Sequence, residues 1–154
     1  QVTGQTTTPY SYALDGLFVG DMPQTGMALG ATVTPIDGLS VQALFNYYDK
    51  NYSDWSPNAR EVASDGTADR EQVWMAPSYS KLDVHISYDL PVGIAGTQMT
   101  AFAHIFNALD AIYVQDAVDH SQYNSYGDKV HAAHNAEVFF GTPRYFNAGL
   151  KVNF

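Results

Sequence analysis

Residues 145–154 read YFNAGLKVNF, and no other stretch restricts the fold as tightly. Phe146, Ala148, Leu150, Val152 and Phe154 fall on one side of an extended chain; Tyr145, Asn147, Gly149, Lys151 and Asn153 fall on the other. Side chains of a strand point alternately to its two faces, so this spacing predicts a β-strand with one apolar face. The pattern returns in 81–90 (KLDVHISYDL), where Leu82, Val84, Ile86, Tyr88 and Leu90 oppose Asp83, His85, Ser87 and Asp89. It returns in 39–48, through Leu39, Val41, Ala43, Phe45 and Tyr47, and in 25–34, through Met27, Leu29, Ala31 and Val33. Residues 98–108 are apolar on both sides apart from His104 and Asn107, which leaves their facing open. Residues 10–19 make a weaker first strand. The expectation is an all-β, antiparallel chain of about six strands.

The connections sharpen this. Pro35-Ile36-Asp37-Gly38 has the residues of a tight turn, and 90–97 (LPVGIAGT) is also short. Residues 49–77 and 110–143 are long and polar, so short and long connections alternate. Long structureless loops are unusual in a compact soluble domain. In outer-membrane barrels, short periplasmic turns and long outer loops are the normal arrangement. On this parity the long loops are extracellular and residue 154 lies on the periplasmic side. One connection fits badly: 20–24 should be a long outer loop and is short.

Strands are the only available way across a bilayer here, since no run approaches the ~18 apolar residues of a spanning helix. Apolar residues form 45% of the chain and charged residues 15%, low against the usual quarter. Tyr47, Tyr48, Tyr52 and Trp55 sit at the outer end of one strand, Trp74 and Tyr79 lead into the next, and Phe139, Phe140, Tyr145 and Phe146 into the last. Tyr88 and Phe154 lie near the opposite ends. Aromatic girdles mark both interfaces of membrane barrels, although aromatics also favour strands in general. A net charge of −9 argues against nucleic acid as a partner, because phosphates call for a basic stripe. With no Cys, thiolate chemistry is excluded and the redox compartment is left open. Residues 1–8 (QVTGQTTT) lack the basic and apolar regions of a secretory signal, as a mature chain or an internal fragment would.

The last third of the chain resembles the end of a TonB-dependent outer-membrane receptor barrel of the kind common in Bacteroidetes. Phe106-Asn107-Ala108-Leu109-Asp110-Ala111-Ile112-Tyr113 is similar to that family's "N-L-x-D-x-x-Y" near the end of its penultimate strand. Phe140-Gly141-Thr142-Pro143-Arg144-Tyr145-Phe146 resembles its "G-x-P-R-x-F" lead into the last strand. Phe154 matches the terminal aromatic presented to the barrel-assembly machinery, and Thr34-Pro35-Ile36-Asp37-Gly38-Leu39 resembles a "P-x-x-G-L-S" periplasmic turn. The resemblance implies a transmembrane segment of a larger barrel, about 22-stranded, that takes up a scarce nutrient: a siderophore, metal complex, oligosaccharide or peptide. The partners it implies are the remaining barrel and its plug, outer-membrane lipid, the TonB complex acting through that plug, and a surface lipoprotein. No plug is found in residues 1–154, so these residues are expected to pair with the rest of a barrel. Open sheet edges in lipid leave backbone groups unsatisfied.

Under this reading Leu82, Val84, Ile86, Phe146, Leu150 and Val152 face the membrane. Tyr52, Trp55, Trp74, Tyr113, Tyr123 and Tyr126 are loop candidates for an outer ligand-capture surface, where aromatic faces and polar edges suit such nutrients. His131 and His134, followed by Glu137, could share a metal on a helical turn; a polar loop is the alternative. His120 with Asp116 and Asp119 is a similar case. His85 and His104 fall at mid-strand, as a ligand contact or as hydrogen-bonded wall residues. No nucleophile elbow accompanies the Ser, His and Asp residues, so no enzyme and no cofactor are expected. Two other readings stay open: a different, smaller outer-membrane barrel, and a soluble β-sandwich or lipocalin-like binding module. The latter would turn Leu82, Val84, Ile86, Leu150 and Val152 into a protein core.

Overall fold

Period-two alternation becomes one up-and-down sheet. The computed structural model describes residues 9–91, 96–123 and 130–153. Its strands are β1 (Pro23–Val33), β2 (Leu39–Tyr52), β3 (Met75–Ala76), β4 (Tyr79–Asp89), β5 (Gln98–Phe106), β6 (Val114–Asp119), β7 (Ala136–Phe140) and β8 (Tyr145–Asn153). A six-stranded sheet runs in the order β1-β2-β4-β5-β8, with the two-residue β3 off this path, and β6 pairs with β7 in a separate two-stranded sheet. Among the described residues the remaining regular structure is three short 3-10 turns.

The chain divides into two compact units. The first comprises the residues up to Met22, Tyr52–Ala76 and Asp116–Val138; the second comprises Pro23–Asn51, Pro77–Gln115 and the residues from Phe139 onward.

The second unit is the sheet. Every pairing between its long strands is antiparallel, and the registers are continuous. Cross-strand partners share a face, so the registers assemble rows across the sheet. Ala31, Ala43, Val84, Ile105 and Phe146 form one row, and Val33, Val41, Ile86, Ala103 and Ala148 form another. With Met27, Leu29, Phe45, Leu82, Leu150 and Val152 they make one apolar face spanning all five long strands. The opposite face carries the row Thr32, Gln42, His85, His104 and Asn147. The register also settles the facing of β5: Met99, Ala101, Ala103 and Ile105 join the apolar face.

Among the described residues, no layer is packed on that face. Leu29 is 66% exposed, Phe146 80% and Leu150 61%, and none of Leu82, Val84 and Ile86 is buried. Among the described residues of the second unit, burial is confined to Asn51, Asn107 and Tyr113. An ordinary soluble sheet hides one apolar face against a second layer; this one leaves it open.

β1 ends where β2 begins, and β4 ends where β5 begins, at the same end of the sheet, from which the two short connections, 34–38 and 90–97, depart. In the first, Gly38 takes φ +80 and a Cβ there would meet the Asp89 carbonyl at 2.9 Å, so the turn requires glycine. Several aromatics expected as girdle residues stack on the polar face instead. Tyr79 packs between Tyr48 and Tyr113, with centroids 5.1 and 4.2 Å away, and Tyr145 stacks on Phe106 at 4.6 Å. Tyr47, Tyr88 and Phe146 lie on the apolar face.

Two expectations are corrected. Residues 10–19 form no strand: Asp15-Gly16 closes a turn, with the Leu17 N–H donating to the Leu14 carbonyl at 3.2 Å, and Tyr12 alone bridges to Glu61. With that strand gone, 20–24 is no longer a loop between strands and its misfit disappears. Nor is 110–143 structureless, since it holds β6 and β7.

The first unit has a small core of Ala13, Val73, Ala76 and Ala117, held with many buried polar groups. Backbone bonds tie its segments: Ala13 N–H to the Arg60 carbonyl at 2.8 Å, Asp54 N–H to Ala117 at 2.7 Å, and Asp119 N–H to Asp54 at 2.8 Å.

Candidate functional site

Two surfaces carry functional potential, one in each unit. In the sheet it is the open apolar face, which collects all six residues expected to face lipid: Leu82, Val84, Ile86, Phe146, Leu150 and Val152. A contiguous exposed apolar surface is the kind of feature that marks a contact with another molecule. Strand length is compatible with a membrane. At about 3.4 Å per residue and a tilt of roughly 40°, strands of nine to eleven residues rise about 23–29 Å, against an apolar band of about 25 Å in such barrels.

At the long-loop end of the sheet the two carboxy-terminal motifs lock together. Asn107, 3% exposed and at φ +50, donates from Nδ2 to the carbonyls of Ala111 (2.9 Å) and Thr142 (3.2 Å), and its Oδ1 accepts the Ala111 N–H (3.0 Å). Its own N–H donates to Asp83 Oδ1 at 2.8 Å. Asp110 receives the Arg144 N–H at 3.2 Å and its guanidinium at 3.3 Å. Gly141 lies against the Tyr113 ring, where a Cβ would fall 2.0 Å from ring carbon, and its N–H donates to the Tyr113 carbonyl at 2.9 Å. Tyr113, expected at a capture surface, is therefore a buried latch residue. Asn107, Asp110, Gly141 and Arg144 share that role. Their motifs were visible in the sequence, but their mutual contact was not.

The first unit holds a recess of about 610 Å³, within the range of small-molecule sites. Trp55, Tyr123 and Val118 supply apolar wall; Asp54, Asp119 and His120 supply polar edges. The Trp55 indole N–H donates to the Phe18 carbonyl at 2.9 Å, which fixes its ring. His120 Nε2 lies 2.9 Å from Glu137 Oε2, so that histidine pairs with Glu137 and not with the aspartates of its own segment. The Asp54 and Asp116 carboxylates raise the pKa of Asp21, with desolvation adding to the effect, so this side of the unit concentrates negative charge. Aromatic wall beside carboxylate acceptors suits a hydroxyl-rich or cationic ligand.

Of the expected capture residues, Trp55 and Tyr123 meet at this recess. Tyr52 stacks on Phe18 at 4.7 Å, and the Trp74 carbonyl accepts both the N–H (2.9 Å) and the hydroxyl (3.1 Å) of buried Ser53. Tyr126 and Phe154 lie outside the described residues.

His131 and His134 do not converge on a metal position. His131 is buried between carboxylates, with Nδ1 2.7 Å from Asp119 Oδ2 and Nε2 2.7 Å from Asp69 Oδ2, while His134 is exposed on the 3-10 turn Ala133–Asn135. Among the described residues, no three His, Asp or Glu side chains are placed to hold a metal ion. The Ser121 hydroxyl lies 3.0 Å from His131 Nδ1 and donates to Asp119 at 2.9 Å. A hydrolytic triad sets its serine and carboxylate on opposite ring nitrogens with the hydroxyl exposed; here both sit on Nδ1 and Ser121 is buried.

Arg60 completes the network. Wholly buried, it brings Nη1 to 2.8 Å from Asp69 Oδ1, off the axis of a directed hydrogen bond, and lies 5.4 Å from the centre of the Trp55 ring. Desolvation pushes the Asp69 pKa up, but hydrogen bonds from His131 and the Glu71 N–H, with the Arg60 charge, outweigh it and leave it lowered. Comparison with protein-family models, curated proteins and solved structures finds no match.

Proposed function

We propose that this chain is part of the wall of an outer-membrane β-barrel, the carboxy-terminal part of a TonB-dependent receptor that takes up a scarce nutrient. The observation that carries the reading is the apolar face, continuous over five strands and open to its surroundings. Hydrocarbon satisfies such a face without a second protein layer. A sandwich or lipocalin-like module would need that layer, and none is found among the described residues.

Further support comes from the connections, which alternate short and long, and from the latch that joins the motifs around Asn107 and Gly141. Among the described residues β1 and β8 each pair on one side only. In lipid every unpaired backbone group costs several kcal/mol, so the remainder of the barrel supplies strands at both edges. The polar face, with His85, His104, Gln42 and Asn147, then lines the interior. The long connections lie outside the cell, where the Trp55–Tyr123 recess takes a siderophore, metal complex, sugar or peptide. Energy reaches the barrel from the inner membrane through a plug.

Fractionation tests this. The protein stays in the outer-membrane pellet through alkaline and urea washes and leaves it only with detergent. Recovery in detergent-free buffer after gentle lysis would refute the assignment.

A further inference from the structure

His85 and His104 face each other directly across β4 and β5, with Nδ1 atoms 2.8 Å apart and ring centroids 4.8 Å apart at 66°. At that distance one nitrogen carries a proton and the other accepts it. Two imidazole nitrogens thus face each other across a single shared proton. From these contacts we propose that the pair is a binding site for a borderline divalent cation such as Zn²⁺, Cu²⁺ or Ni²⁺.

The chemistry and the geometry agree. Neutral imidazole is a preferred ligand of these ions. Bonds of about 2.0–2.1 Å to each nitrogen in tetrahedral geometry require the two nitrogens to stand about 3.3 Å apart, so the rings need open by only about 0.5 Å. When the cation enters, the ring that held its proton on Nδ1 becomes the Nε2–H tautomer, so both rings stay neutral and both Nδ1 lone pairs bind the ion. The rings are steadied from the side: Phe106 lies edge-on to His85 at 5.5 Å, and Phe102 lies 5.3 Å from His104. Sheet pairing fixes the backbone beneath them, so little freedom is lost on binding.

A recess of about 170 Å³ opens beside the pair, lined also by Thr32, Ser40, Gln42 and Ser87. Hydroxyl and amide groups there suit water molecules that complete the coordination shell. With two protein ligands, positions remain for an anionic or nitrogenous group carried by a ligand. The inference rests on groups of the polar face alone, so it does not depend on what covers the apolar face. The sequence contains five histidines. His131 is held between two carboxylates and His120 pairs with Glu137.

The experiment is a titration of the folded full chain in detergent with CuCl₂ and ZnCl₂, read by calorimetry and by Cu²⁺ paramagnetic resonance. One cation binds per chain, with hyperfine structure from two imidazole nitrogens. His85→Gln and His104→Gln each weaken binding at least tenfold, and His134→Gln leaves it unchanged. Diethyl pyrocarbonate footprinting of the unsubstituted protein gives the same answer without a variant: Zn²⁺ protects His85 and His104 and leaves His134 reactive. Absence of binding, protection falling on other histidines, or affinity indifferent to both glutamine variants would overturn the assignment.

Discussion

Replacing Leu150 with Arg separates a lipid environment from an aqueous one. Leu150 lies one residue from the middle of β8, on the apolar face, and is 61% exposed. In water such a side chain supports little, and its replacement shifts stability by no more than about 0.5 kcal/mol. Against hydrocarbon near the bilayer midplane, Arg costs roughly 2–4 kcal/mol. That is about thirty- to several-hundred-fold in the folding equilibrium. The control is Asn147→Arg, three residues away on the opposite face, which is expected to cost under ~1 kcal/mol because lumen-facing positions accept polar groups. Urea titration of the protein reconstituted in phospholipid vesicles, followed by fluorescence of Trp55 and Trp74, gives both values. The reasoning fails if Leu150→Arg is neutral in vesicles, or if Asn147→Arg costs as much.

Other outcomes follow from the packing. Gly141→Ala drives a methyl into the Tyr113 ring and is expected to cost about 1–3 kcal/mol by urea unfolding. Tyr113→Ala in the same chain removes the clash, so the double variant is less destabilised than the sum of the singles. Asn107→Ala leaves the N–H and carbonyl of Ala111 and the Thr142 carbonyl without their side-chain partner, a loss of about 1–3 kcal/mol in the same assay. The lowered pKa of Asp69 makes the first unit acid-sensitive. The unfolded carboxylate titrates near pH ~3.9; the contribution of Asp69 is complete above that value and disappears as pH falls through the lower folded one. Near-ultraviolet circular dichroism should show Asp69→Asn destabilising the protein at neutral pH, with the difference from wild type shrinking as pH falls below about 4 and gone only below the lowered folded value.

The sheet was legible because its signal is local. In β2, β4 and β8 every second residue reports the facing of its neighbours, so a ten-residue window suffices. β5 was legible as a strand but not in its facing, since Phe102 and Phe106 put apolar groups on both sides. Pairing with Ile86 and Phe146 supplied the missing information. Residues 10–19 misled because Tyr12, Leu17 and Val19 mimic strand composition, while the decisive signal, Asp15-Gly16, sits at their centre. β6 and β7 are too short to show a period. The first unit was the least legible. Its organising contacts join Arg60 and Asp69 to Asp119, Ser121 and His131, residues far apart in the chain. Nothing in HAAHNAE says that one histidine is buried between carboxylates and the other is on the surface. The latch lies between: both halves could be quoted as motifs, yet that Gly141 rests on Tyr113 is a statement about space.

A spin-label scan along β8 addresses the lipid contact itself. Residues 1–154 contain no Cys, so single cysteines at 146 through 153 can be labelled without background from this stretch. In the membrane-embedded protein, labels at 146, 148, 150 and 152 should collide readily with oxygen dissolved in the bilayer and be shielded from a water-soluble nickel complex, while those at 147, 151 and 153 show the reverse. Equal access of the nickel complex to both sets would mean that water, not hydrocarbon, meets the apolar face.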